Sequence, residues 1–298
     1  MRRLRDLWAV LKKAFLEWNE KDPFRESSII AYYAIFSLPG LLVVVFTIAS
    51  FFFSSEAVSG ALHEQIAKSM GKETADSVGE MMAKTSASSE SIWATIIGII
   101  TILIGATGVF VQLQKSLNII WEVKPEKGKS GIWLYFKSRF FSFGLIVSIA
   151  FLLLISLVVT SVITAMSTWA EAHWPAVILF LFQIFNLIFS AVLIAMLFAM
   201  MFKILPDAKI KWKSVWMGAI LTSILFSLGK SGLGLYFGKA DPASGYGAAG
   251  SVVLILLWVS YSSMIVFFGA EFTKAYAEKF HGKIVASEIA VKSQGRTR

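Results

Sequence analysis

The sequence predicts an all-α integral membrane protein. It should have six transmembrane helices, N- and C-termini in the cytoplasm, an amphipathic N-terminal helix and a short helical cap in the first external loop. Three observations predict this. Six apolar stretches, nearly free of charge, are each long enough to cross a bilayer. The gaps between them are alternately rich and poor in Lys and Arg. Of the 298 residues, 56% are hydrophobic and 16% charged, whereas a soluble domain has about 45–50% apolar and about 25% charged residues.

Residues 1–26 read as a cytoplasmic amphipathic helix. Leu4, Leu7, Trp8, Leu11, Phe15 and Trp18 recur at helical spacing, flanked by Arg2, Arg3, Arg5, Lys12 and Lys13. Such a helix either lies in the membrane interface, aromatics at headgroup depth, or packs beneath the bundle. The segment has no apolar run of the kind that marks a cleavable signal peptide. Residues 27–275 form the membrane domain, with spans at about 28–53, 91–115, 139–168, 174–203, 213–238 and 246–272. Residues 276–298 form a basic cytoplasmic tail.

Seven Lys and Arg precede the first span, six lie between the second and third, four between the fourth and fifth, and six follow the sixth. The intervening gaps hold three, none and two. Basic residues stay on the cytoplasmic side, so both termini are expected there. The net charge of +9 has the same cause, and nucleic acid is not an expected partner. In the external segment 54–90, Val58, Leu62, Ile66 and Met70 recur every four residues, and Val78, Met81 and Met82 form a second patch. Two short helices, or a polar linker, would fit.

Cysteine is absent, which removes disulfides and thiolate chemistry, and His63, His173 and His281 are scattered. No phosphate loop, HExxH or G-x-S-x-G element occurs. No enzyme activity, metal or cofactor is expected.

The candidate functional residues are polar or helix-breaking positions in or beside the spans. Pro39 and Gly40 sit in mid-span behind Tyr32, Tyr33 and Ser37. Pro39 removes a backbone bond and should kink the helix, either to line a substrate path or to improve packing. Gln112 belongs to an amide cluster with Gln114 and Asn118; it marks a polar vestibule or the helix entering the headgroups. Gln183 and Asn186 share a face and need a neighbouring helix or a cavity. Lys230 is the one basic residue inside a span. It either snorkels to the outer interface or meets an anionic headgroup or substrate. The glycines around it, with Tyr236 and Tyr246, suit a gate or close packing. Glu271 either pairs with Lys274, three residues on, or serves as a coupling carboxylate.

Four segments carry a family resemblance: AYYAIFSLPGLL from Ala31, the run ending FVQLQKSLNIIWEV at Val123, LPDAKIKWKSVWMGA from Leu205, and YGAAGSVVLILLWVSYSSMIVFFGAEFTKAYA from Tyr246. Together they resemble the YihY / virulence factor BrkB family, in the expected order and across nearly the whole chain. The resemblance implies a six-helix protein of the bacterial inner membrane. Some members have carried a ribonuclease BN label, for which this chain offers no His/Asp metal cluster. Others are linked to serum resistance or lipid export. The expected role is therefore transporter-like, moving or binding a lipidic or amphipathic envelope substrate. A non-transporting scaffold for an envelope complex comes second and a membrane-associated ribonuclease third. Expected partners are membrane lipids, a second copy of the chain or envelope proteins.

Overall fold

The computed structural model describes residues 2–50, 54–87, 108–125, 176–240, 242, 244–282, 284–287 and 290–292. The expected third span, most of the second and the end of the tail lie outside the described residues. The helices are α1 (Arg2–Glu20), α2 (Pro23–Ser50), α3 (Ser55–Met70), α4 (Lys72–Ala87), α5 (described over 108–120), α6 (Ala176–Ile204), α7 (Trp212–Ala240) and α8 (Gly250–Phe280). A 3-10 turn, Ser244–Ala249, precedes α8.

Local chemistry explains the boundaries. Pro23 opens α2, where a missing N–H costs nothing. Gly71, at φ +90°, ends α3 and returns its N–H to the Ala67 carbonyl at 3.0 Å. At the end of α8, His281 N–H donates to the Ala277 carbonyl at 2.8 Å before Gly282 turns at φ +88°. The helix runs eight residues past the expected end of the sixth span.

Three helices among the described residues are long and apolar enough to cross a membrane: α6 over Leu187–Ile204, α7 and α8. Their outer faces carry exposed Phe185, Leu187 and Ile188 on α6 and Ile224, Leu228 and Leu235 on α7. Such surfaces suit lipid as solvent. The core collects where α5 to α8 meet, with Leu117, Trp121, Phe202, Val215, Ala219 and Ala270 all but sealed. α7 and α8 approach closely there. A Cβ on Gly218 would meet Thr273 Oγ1 at 1.6 Å, and one on Gly269 would meet Thr222 Oγ1 at 1.8 Å. Each threonine satisfies its hydroxyl on its own helix, four residues back, on the Gly218 and Gly269 carbonyls. Small residues at i and i+4 on both helices let the backbones touch.

The same end of the bundle carries four short strands. β1 (Val123–Pro125) pairs antiparallel with β4 (Ala290–Lys292), and β2 (Ala208–Lys209) with β3 (Val285–Ala286). The tail thus ties down the segments after α5 and after α6.

α1 runs antiparallel along the last turns of α8. Asp6 meets Lys279 at 3.0 Å, Lys13 meets Glu278 at 2.7 Å, and Trp18 Nε1 donates to the Met264 carbonyl at 3.2 Å. The stripe read from spacing is divided, with Leu11 and Trp18 packed inward. Val10 and Ala14 are buried against Phe272 and Ala275, whereas Trp8 and Phe15 are 69% and 54% exposed. Small residues inside allow close approach, which turns the bulky aromatics outward. At the other end of the bundle, α3 and α4 pack against each other around Val58, Ala75 and Val78 and touch α2.

Candidate functional site

Below the core, α1, α2, α5 and α8 bring charged side chains together inside the protein. Glu271 is 0% exposed. Lys21, just past α1, donates to its Oε1 at 2.6 Å and to the Ile120 carbonyl at 3.2 Å. Lys274, one turn further along α8 and 2% exposed, donates to Glu122 at 2.6 Å and to Glu17 at 2.9 Å. The expected pairing of Glu271 with Lys274 is therefore replaced. Glu271 bonds Lys21, and Lys274 bonds Glu17 and Glu122. Both α8 side chains face the docked α1 and the end of α5, where partners arrive head-on.

Glu26, on the first turn of α2, completes the group. Its Oε2 accepts from Ser116 at 2.8 Å and from Gln112 at 3.4 Å, and its Oε1 accepts from Arg25 at 3.2 Å. A cavity of about 20 Å³ lies between these elements, walled by Lys21, Glu26, Ser116, Ile120, Phe267 and Glu271. That volume holds one water.

The backbone is strained at this place. Asp22 and Glu122 adopt φ 50° and 55°, the non-glycine residues with positive φ among those described. An L-residue there costs about 1–2 kcal/mol. Asp22 follows Lys21, and Glu122 itself reaches Lys274, so both distortions lie at the cluster. Burial alone would raise the Glu17 and Glu122 carboxyls. The hydrogen bond and charge of Lys274 reverse that and hold both below the ordinary carboxylate value.

A second polar junction lies beside the first. Asn118 Nδ2 donates to Asp207 Oδ2 and Asp207 N–H donates back to Asn118 Oδ1, both at 2.8 Å, while Gln114 reaches Oδ1 at 3.3 Å. Burial raises the Asp207 carboxyl, and the two amides only partly offset it. The amides expected to line a vestibule or to mark the headgroup level thus bolt α5 to its neighbours.

Of the sequence candidates, Glu271 lines the cavity, and Gln112 reaches it only through its bond to Glu26. Tyr33 lies over Gly108 of α5, where a Cβ would meet its ring at 2.8 Å. Tyr32 packs edge-on against Tyr33 and Phe36, with ring centroids 5.9 and 5.0 Å apart. Both tyrosines remain partly exposed. Ser37, Pro39 and Gly40 fall within the α2 helix, and Gln183 and Asn186 within α6; their side chains lie outside the described residues. Lys230 is half-buried on α7 and has an interaction of its own. Its neighbour Gly229 packs on Tyr261, ten residues before Glu271 and so about 15 Å along α8. Lys230 and Glu271 therefore occupy different levels. Around Lys230, Gly229 serves close packing, but Gly232, Gly234 and Gly238 face open space. Tyr236 and Tyr246 are exposed near that end. Sequence reasoning missed Glu17, Lys21, Glu26, Ser116 and Glu122 as site residues. For Glu17, Lys21 and Glu26 the available signal was acidic and basic residues on the inner face of α1 and the first turn of α2.

Comparison with known proteins agrees with this membrane architecture. A UPF0761 membrane protein of Alteromonas mediterranea is 28% identical over 283 residues, covering 94% of this chain and 91% of its own length. One from Pseudoalteromonas atlantica is 26% identical, covering 85% and 80%. One from Teredinibacter turnerae is 25% identical over 90% of this chain, which spans 60% of that longer protein. No solved structure matches the chain. The family profile described as Virulence factor BrkB matches residues 14–292. With that match running from the last turns of α1 through the charged cluster to the paired tail, the chain belongs to the virulence factor BrkB family of membrane proteins.

Proposed function

We propose that this chain is a transporter-like protein of the bacterial inner membrane that moves or binds a lipidic or amphipathic envelope substrate. In this reading it has six spans, both termini are cytoplasmic, and α3 and α4 cap the outer face. The observation that carries the reading is the buried cluster around Glu271. Glu271 falls at the end of the expected sixth span, and an ionisable group buried inside a membrane helix is costly and is kept where it handles a substrate or an ion. Here four carboxylates and three cations crowd one end of α8 beside a cavity. Lys230, at the other level of the bundle, is a candidate contact for an anionic headgroup.

The test is lipid movement in liposomes reconstituted with the purified full chain and a fluorescent phospholipid. Movement should exceed that in protein-free liposomes and fall at least about tenfold in Glu271→Gln, the scale expected when a charged interaction worth about 1.4 kcal/mol or more is lost. Equal movement with and without protein would overturn the proposal.

The second reading, a scaffold for an envelope complex, draws on the outward face of α1, where Trp8, Phe15 and Leu16 are each more than half exposed. Cross-linking from those positions in intact membranes should then capture a defined protein. Capture of lipid alone would remove it.

A further inference from the structure

The charged cluster leaves one buried oxygen unsatisfied. Among the described residues, the ionised groups that touch one another here are Glu17 and Lys21 from α1 and its end, Arg25 and Glu26 from α2, Glu122 after α5, and Glu271 and Lys274 from α8. Lys13 also reaches Glu17 at 3.5 Å, but its own closest partner is Glu278. By contact these groups fall into three: Lys21 with Glu271, Arg25 with Glu26, and Lys274 with Glu17 and Glu122, where the extra carboxylate keeps solvent and Lys13 beside it. A buried polar atom without a partner is expensive and calls for a water or a proton.

Glu271 carries such an atom. Glu271 Oε1 is held by Lys21, but Oε2 is sealed from solvent and has no hydrogen-bond partner. The same side chain lines the cavity, which has room for one water and shares its wall with Ser116 and Glu26. A metal ion would sit beside the Lys21 ammonium, whose positive charge repels it. A proton bound on oxygen needs no such space, and the resulting O–H would have a partner in a cavity water.

We propose that Glu271 is a proton-binding site, taking one proton on Oε2 and donating the new O–H to a water in the cavity. Protonation turns the unpartnered oxygen into a donor to that water while Oε1 stays with Lys21. Release returns the proton to that water and leaves the carboxylate paired with Lys21. Lys21 is 23% exposed along its side chain, so the site has a polar route toward solvent. The inference rests on the reading of this cluster as the working part of the protein, and it names the ion that part would handle.

Infrared difference spectroscopy on the full-length protein in lipid nanodiscs, titrated with pH, reads the site directly. A carboxylic-acid carbonyl band should grow as pH falls, disappear in Glu271→Gln, and stay unchanged when sodium replaces choline at fixed pH. In Lys21→Met the same band should appear at higher pH, because the ammonium that favours the carboxylate is gone. That variant carries the test if Glu271→Gln does not fold. Absence of the band, its survival in Glu271→Gln, its loss on adding sodium, or no shift in Lys21→Met would each overturn the proposal. The measurement is made at equilibrium without lipid movement. Its failure is therefore distinct from failure of the transport reading.

Discussion

At the strand-bearing end, Lys274 has a side chain 3% exposed and grips carboxylates delivered by two other segments of the chain. At the far end, His63 and Asp76 join α3 to α4 at 2.8 Å with side chains 41% and 56% exposed. One contact is sealed and long-range, and the other is local and wet. The glycines repeat the contrast. Gly218 and Gly269 sit where a Cβ would collide with a threonine, while Gly232, Gly234 and Gly238 face open space. The strand-bearing end is built for precision, with strained backbone, close helix approach and buried charge. The far end is held by ordinary helix packing.

The contrast breaks most visibly at the glycines. Gly269→Val should drive its side chain into Thr222 and cost more than about 3 kcal/mol, an overpacked close helix contact. Little folded protein should survive size-exclusion chromatography. Gly232→Ala on α7 should instead leave the melting temperature unchanged or raise it, by up to about 1 kcal/mol. Equal effects at both sites would erase the distinction between the two ends.

Next in size is the charge pair. Lys274→Met would leave Glu122 without its cation and Glu17 with only the half-exposed Lys13. A loss of about 2–3 kcal/mol is expected, discounted from the fully buried case because both carboxylates keep some solvent contact. His63→Ala, at the wet end, should cost under about 1 kcal/mol. Thermal unfolding in one detergent compares the two.

The pH dependence sharpens the picture within the strand-bearing end. Glu17 and Glu122 are held below their ordinary value of 4.5 in the fold. Their contribution is fully present above that value and is lost as pH falls below it, through the folded values. Asp207 is held above its ordinary 3.8, so its contribution has the opposite sign. It is present below 3.8 and is lost as pH rises through the folded value. Melting temperature against pH should therefore show less acid loss in Glu122→Gln. In Asp207→Asn the decline above 3.8 should vanish. An unchanged profile in both variants would remove these carboxyls from the stability of this end.

The smallest effect expected is at Asp22. Asp22→Gly relieves the positive φ and should stabilise the fold by roughly 0.5–1 kcal/mol. If the turn exists to aim Lys21, the same change should loosen the Lys21–Glu271 contact and shift the Glu271 infrared band. A gain in stability with no shift in the band would make the strain incidental.

Glu271 shows how far the sequence could be read. It stood out as a carboxylate at the end of an apolar run, a place where charge is costly. The partner suggested by helical spacing was Lys274. The true partner, Lys21, lies 250 positions away, and spacing on one helix carries no information at that range. On α1 the spacing offered a stripe that would meet the membrane interface or pack beneath the bundle, and the fold divides it, Leu11 and Trp18 inward, Trp8 and Phe15 outward. Hydrophobicity ranks Trp8 and Phe15 above Val10 and Ala14, but close docking prefers the small side chains.

The apolar runs and the periods within them determined that this chain would be helical and would take lipid as its solvent, because burying backbone in hydrocarbon leaves little alternative. The segments that carry the family resemblance were also legible, and the profile match confirms the family. The tertiary structure decided the rest. Strands of two or three residues have no periodicity to detect, so the pairing of the tail with the segments after α5 and α6 emerges from the folded chain alone. Which carboxylate meets which amine is decided by helices that converge from distant parts of the sequence. The physical reason is one of range. Solvent preference acts residue by residue and can be read along the chain, whereas a buried charge is settled by whatever the fold places beside it.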